Sequence, residues 1–171
     1  MKGLYITAAG IAAALSLAVG LGSALASNHS ASAGPRVGAT SSGLGRILVD
    51  GSGRTLYLFE KDKHGKSTCT GQCAGFWPPL IATGKPIAAA GAKASLLGTT
   101  KRADGRLQVT YNHHPLYTFA KDVRKGQTNG EAVNAFGAEW YALSAAGTKV
   151  DESSAKSTDP TAGSYSSGYG Y

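Results

Sequence analysis

Leu56-Tyr57-Leu58-Phe59-Glu60-Lys61-Asp62 and Leu116-Tyr117-Thr118-Phe119-Ala120-Lys121-Asp122 are two versions of one stretch, sixty positions apart. At the same offset Gly45 matches Gly105, Arg46 matches Arg106 and Val49 matches Val109. A gapless match of this length marks an internal duplication. Side chains alternate across a strand, so Tyr57 and Phe59 point one way and Leu56 and Leu58 the other. Tyr117 and Phe119 repeat the aromatic side. A buried ring removes about 150 to 250 Å² from water, so the duplicated rings read as a shared core rather than an exposed stacking platform for sugars or bases.

Working outward, Arg46–Asp50, the turn Gly51-Ser52-Gly53 and Arg54–Phe59 predict one hairpin. Arg106–Tyr111, the turn Asn112–Pro115 and Leu116–Phe119 predict the second, with Leu107, Val109 and Tyr111 at strand period. Each hairpin is followed by a glycine-containing loop and a tryptophan, Trp77 or Trp140. Ala92–Leu97 predicts one or two helical turns closed by Gly98. A lone hairpin is marginal in water. The expected fold is therefore mainly β: a small antiparallel β domain of two duplicated hairpin repeats, sandwich- or barrel-like, with at most one short helix between them. It spans 44–150, with repeat one at 45–81 and repeat two at 105–144. Asp62 and Asp122 follow the aromatic pair, where a carboxylate accepts backbone N–H groups of the next turn. A calcium site there is opposed by Lys61, Lys63, Lys121 and Arg124.

The ends are of another kind. Met1-Lys2, an apolar run from Leu4 to Leu21 and Ala24-Leu25-Ala26 predict a signal peptide, residues 1–26, cleaved after Ala26. The competing reading is an uncleaved membrane anchor. Residues 27–43 hold almost no large apolar group and predict a disordered linker. Residues 151–171, rich in Ser, Gly and Tyr, predict a disordered tail. The expected location is secreted or extracytoplasmic, with membrane association only through an uncleaved leader.

The net charge is +7, or +6 once Lys2 is removed, and the basic residues are scattered. Specific nucleic-acid binding wants a concentrated basic patch with interleaved aromatics, so none is expected. The sequence names no partner; a mildly cationic exported protein is attracted unspecifically to anionic cell-envelope components. No catalytic residue is assigned, because no nucleophile elbow, metalloprotease helix, phosphate loop or dinucleotide fingerprint occurs. Cys69 and Cys73 are the two cysteines of the chain. In an exported protein their default state is a disulfide. The alternative is an extracytoplasmic redox or metal-handling protein, binding copper or zinc through His64, Cys69, Cys73, His113 and His114. The spacing fits closed zinc sites poorly, so no resident cofactor is expected.

Tyr57-x-Phe59-x-x-Asp62, Tyr117-x-Phe119-x-x-Asp122, Cys69-x-Gly71-x-Cys73-Ala74 and Trp77-Pro78-Pro79 together resemble bacterial secreted repeat proteins with the motif Tyr-x-(Phe/Trp/Tyr)-x-x-Asp. Many of these are predicted lipoproteins of unknown function. The leader and the Ala and Gly content are similar to actinobacterial members, without the lipobox cysteine. The resemblance implies export, a duplicated domain and a loop disulfide. It gives the motif residues Tyr57, Phe59, Asp62, Tyr117, Phe119 and Asp122, with Trp77 and Trp140, a structural role. It implies no activity.

Overall fold

The computed structural model of the chain describes Gly3 and residues 33–150. The predicted leader (apart from Gly3), most of the predicted linker and the tail from Asp151 lie outside the described residues. Contacts divide the chain into Met1–Ser30 and Ala31–Tyr171, and the fold is that of the second unit.

Three small sheets make it up. In the first, β1 (Arg36–Ser42) pairs antiparallel with the whole of β2 (Gly45–Asp50) from Val37 onward, and β4 (Ile87–Ala88) joins the outer edge of β1 in parallel. In the second, β3 (Tyr57–Phe59) pairs with β9 (Ala138–Ala142), which also pairs with β8 (Val133–Ala135). In the third, β5 (Leu97–Lys101) pairs with β6 (Leu107–Tyr111), and β7 (His114–Pro115) closes the turn. The fold is mainly β, and the sheets do not close into a barrel.

Three expectations are corrected. Residues 36–42 are strand β1, not linker. Its small, polar side chains carry little apolar signal; backbone pairing to β2 and β4 holds it, a ladder that composition does not reveal. The predicted helix at Ala92–Leu97 is one 3-10 turn, Ala94–Leu96, and Gly98 lies inside β5 rather than capping a helix. The short helix α1 (Gln72–Phe76) lies instead in the cysteine loop.

The repeat offset also changes along the chain. Leu56 N–H donates to Leu48 at 3.0 Å, and Leu116 N–H donates to Val109 at 2.9 Å, so Leu48 is the counterpart of Val109. Strands β2 and β6 are thus related by sixty-one positions while the motifs are related by sixty. The extra residue sits in the first turn, where the Asp50 carboxylate accepts the N–H groups of Ser52 (2.8 Å) and Arg54 (3.0 Å). The second turn is tighter: Asn112 (φ 46°) and His113 (φ 66°) are both left-handed, as a two-residue hairpin turn requires.

The copies are crossed rather than side by side. Motif strand β3 of copy one pairs with β9 of copy two. Residues 116–120 of copy two lie along 76–80 of copy one, through Leu80 N–H to Leu116, Thr118 N–H to Pro78 and Ala120 N–H to Phe76, each 2.9 Å. Pro78 and Pro79 have no N–H to donate, so this pairing forms no continuous ladder. At the centre Tyr57 and Tyr117 exchange both backbone hydrogen bonds, at 2.8 and 3.0 Å. The alternation of the motif separates two cores: Tyr57, Phe59, Tyr117 and Phe119 on one side, Leu56, Leu58 and Leu116 on the other.

Candidate functional site

The four central rings form one stack. Phe59 lies on Trp140 (centroids 4.0 Å apart), Trp140 on Trp77 (3.9 Å) and Trp77 on Phe119 (4.1 Å). Tyr57 meets Trp77 edge-on at 5.4 Å, and Tyr117 meets Trp140 edge-on at 5.1 Å. The edge-on contacts suit the ring quadrupole, and all six rings are buried. Gly130 leaves room for them: a Cβ there would stand 2.8 Å from Trp77 and 2.9 Å from Tyr57.

The polar ends of the motif are crossed as well. The Tyr57 hydroxyl donates to Asp122 Oδ2 at 2.6 Å, and the Tyr117 hydroxyl to Asp62 Oδ2 at 2.6 Å. The other oxygen of each carboxylate accepts the following loop: Thr68 N–H (2.7 Å) and Thr68 hydroxyl (2.8 Å) at Asp62, Asn129 N–H (2.9 Å) at Asp122. Burial, the largest influence, raises both carboxyls above the usual carboxylate range, against the pull of these hydrogen bonds.

Cys69 and Cys73 form a disulfide and are buried against the ring stack. The loop is tied down by Arg102, which has no counterpart in the sequence reading. Its Nη2 donates to the Cys69 carbonyl (2.7 Å), and its Nη1 to Ser67 Oγ (2.7 Å) and Gln108 Oε1. Its Nε lies 3.5 Å from the Asp104 carboxylate. Gln108 occupies in copy two the place of Ile47 in copy one, so this polar network breaks the internal symmetry.

Among the described residues, His64, His113 and His114 do not gather with the cysteines into a metal-binding group. His64 and His113 are exposed, on left-handed turn residues. His114 is half-buried in β7 and lines a cleft of about 400 Å³ with Asp62, Glu60 and Lys149. Burial first, then His113, lowers the His114 pKa, while Asp62 opposes them. Among the described residues no three His, Cys, Asp or Glu side chains converge to hold a metal ion.

An apolar slot opens to the surface beside the ring stack. At the Phe119 end of the stack, this slot of about 230 Å³ is lined by Phe76, Trp77, Phe119, Lys121, Val133 and Phe136. Phe76 and Phe136 are 42% and 36% exposed, with centroids 6.0 Å apart, far above the other ring-stack residues. Phe136 holds φ at 59°, a left-handed conformation that is a true outlier for so bulky a residue. Lys61 Nζ donates to its carbonyl at 3.3 Å. Neither ring stands out as a site residue from sequence; the signal was Phe136 directly before Gly137 in a short hairpin turn.

A family model described as a secreted repeat of unknown function, Lipoprotein_15, matches the chain twice, over residues 38–81 and 98–144. The chain belongs to this family. The secreted repeat begins at Gly38 in β1 and at Gly98 in β5, so its unit includes one strand more than repeats 45–81 and 105–144. No curated protein and no solved structure matches the chain. Among the described residues no helix is long and apolar enough to cross a membrane.

Proposed function

We propose that this secreted-repeat protein, released by cleavage after Ala26, works at the cell envelope as a non-enzymatic binding module that needs no resident cofactor. Its contact face is the slot between Phe76 and Phe136. The observation that carries this reading is the backbone of Phe136: a strained left-handed residue holds an exposed ring over an apolar slot. Such strain costs of order 1–3 kcal/mol and clusters at functional sites. Lys121 beside the slot and the net positive charge favour an envelope component that joins an apolar group to a negative charge.

Co-sedimentation with isolated cell envelopes tests it. Phe136→Gly relieves the backbone strain, so the variant should melt at a higher temperature yet bind less. Phe76→Ser should weaken binding without touching the strained turn. Binding unchanged in both variants would refute the assignment. The metal-handling alternative requires the Cys69–Cys73 bond to be reduced; copper or zinc uptake by reduced protein, lost in Cys69→Ser, would support it instead.

A further inference from the structure

Among the described residues, the internal duplication leaves one strand edge covered in copy one and open in copy two. In copy one, Ile87-Ala88-Ala89-Ala90 lies along the outer edge of β1: Ala89 N–H donates to Val37 at 2.7 Å, and Ala39 N–H donates to Ala90 at 2.9 Å. The counterparts of Val37 and Ala39, sixty positions on, are Leu97 and Thr99 of β5. On its inner edge β5 faces β6, with Asn112 N–H donating to Leu96 and Arg102 N–H to Arg106. Residues of the opposite parity, Leu97, Thr99 and Lys101, therefore turn their backbone groups outward. Among the described residues no strand pairs with that edge and nothing accepts from Thr99 N–H. The residues that correspond to the cover, 147–150, double back instead: Ser144 N–H donates to Thr148 and Val150 N–H to Ala142, both at 2.8 Å. In place of a strand there is a cleft of about 480 Å³, lined by Lys85, Pro86, Ala94, Leu97, Thr99 and Leu107.

We propose that the outer edge of β5 binds an extended segment of a partner polypeptide, added as a parallel strand beside Leu97 and Thr99. Copy one supplies the chemistry of the occupant: a short, uncharged run of small apolar residues such as Ile-Ala-Ala-Ala. Main-chain hydrogen bonds to Leu97 C=O and Thr99 N–H provide affinity, and the apolar cleft selects side chains. Lys85 and Lys101 beside the site disfavour a basic segment. This site is separate from the Phe76–Phe136 slot and does not depend on it.

The test uses the full chain and a synthetic, end-capped peptide with the uncharged sequence of residues 87–92, followed by amide hydrogen exchange. The peptide should slow exchange at Thr99 about tenfold or more, as a new backbone hydrogen bond does. Thr99→Pro removes the outward donor while sparing the β6 ladder, and should weaken peptide binding about tenfold, the worth of one such bond. Should that variant fail to fold, a peptide N-methylated at its second alanine, the counterpart of Ala89, should bind the natural chain comparably less. No added protection at saturating peptide would overturn the proposal. Protection of Thr99 in the free chain would overturn it too, assigning the edge to residues 151–171 if independent of protein concentration and to a second copy if it rises with concentration.

Discussion

Tyr57 of the first copy donates its phenol hydrogen to Asp122 of the second at 2.6 Å, and Tyr117 returns the same bond to Asp62 at 2.6 Å. The phenols of the motif thus complete the opposite copy, while each carboxylate also holds the loop of its own, Thr68 at Asp62 and Asn129 at Asp122. Tyr57→Phe leaves Asp122 Oδ2 short of a buried donor, and Tyr117→Phe does the same to Asp62, although Tyr117 also contacts Ser67 at 2.7 Å. Each substitution should cost about 1–3 kcal/mol. A urea midpoint equal to that of the natural protein in either variant would contradict the crossed arrangement.

The same two phenols should govern alkaline stability. Burial, reinforced by Asp122 at Tyr57 and by Asp62 at Tyr117, raises both above the ordinary phenol value of about 10. The folded chain then keeps protons that the unfolded chain gives up. Stability is present in full below about pH 10 and is lost as pH rises above it. Unfolding in alkali should coincide with a jump in phenolate absorbance, and the pH slope should be shallower in Tyr57→Phe.

His114 sets a dependence on the other side of neutrality. Its lowered folded pKa means that the unfolded chain binds the proton first as pH falls through about 6.5. Stability contributed by neutral His114 is present above that value and is lost as pH falls from there towards the folded pKa. Asp62 and Asp122 act oppositely, since their raised pKa values add stability as pH falls towards the ordinary carboxylate range. As pH falls from neutral to mildly acidic, the melting temperature of the natural chain should drop relative to that of His114→Gln.

His113 occupies a left-handed turn position at φ 66° and is exposed. A non-glycine residue there costs roughly 1–2 kcal/mol, and glycine removes most of it at some cost in unfolded-chain entropy. His113→Gly should raise stability by about 0.5–1 kcal/mol. An unchanged or lower melting temperature would show that the imidazole contributes more than its backbone strain costs.

Gly130→Ala would place a methyl group 2.8 Å from Trp77 and 2.9 Å from Tyr57, inside a stack with no slack. Overpacking of this kind costs typically about 1–3 kcal/mol. The loss should appear in near-ultraviolet circular dichroism as well as in melting, because the tryptophan environment itself must shift.

Duplication, strand periodicity and the alternation of Tyr57 and Phe59 against Leu56 and Leu58 were legible in the sequence, because they are local and repeat. The pairing of Cys69 with Cys73 was legible too, from an exported chain with two nearby cysteines. Strand β1 was not, since its pairing partners rather than its side chains hold it in place. Nor was the sixty-one-residue register of β2 and β6, which depends on which backbone groups meet across a turn. Only the tertiary structure decided that Tyr57 binds Asp122, that Trp77 stacks on Trp140, that Arg102 holds the cysteine loop and that the Phe76–Phe136 slot stays open. Those contacts join residues far apart in the chain, and whether a side chain closes the core or faces solvent is settled by what the other copy brings against it.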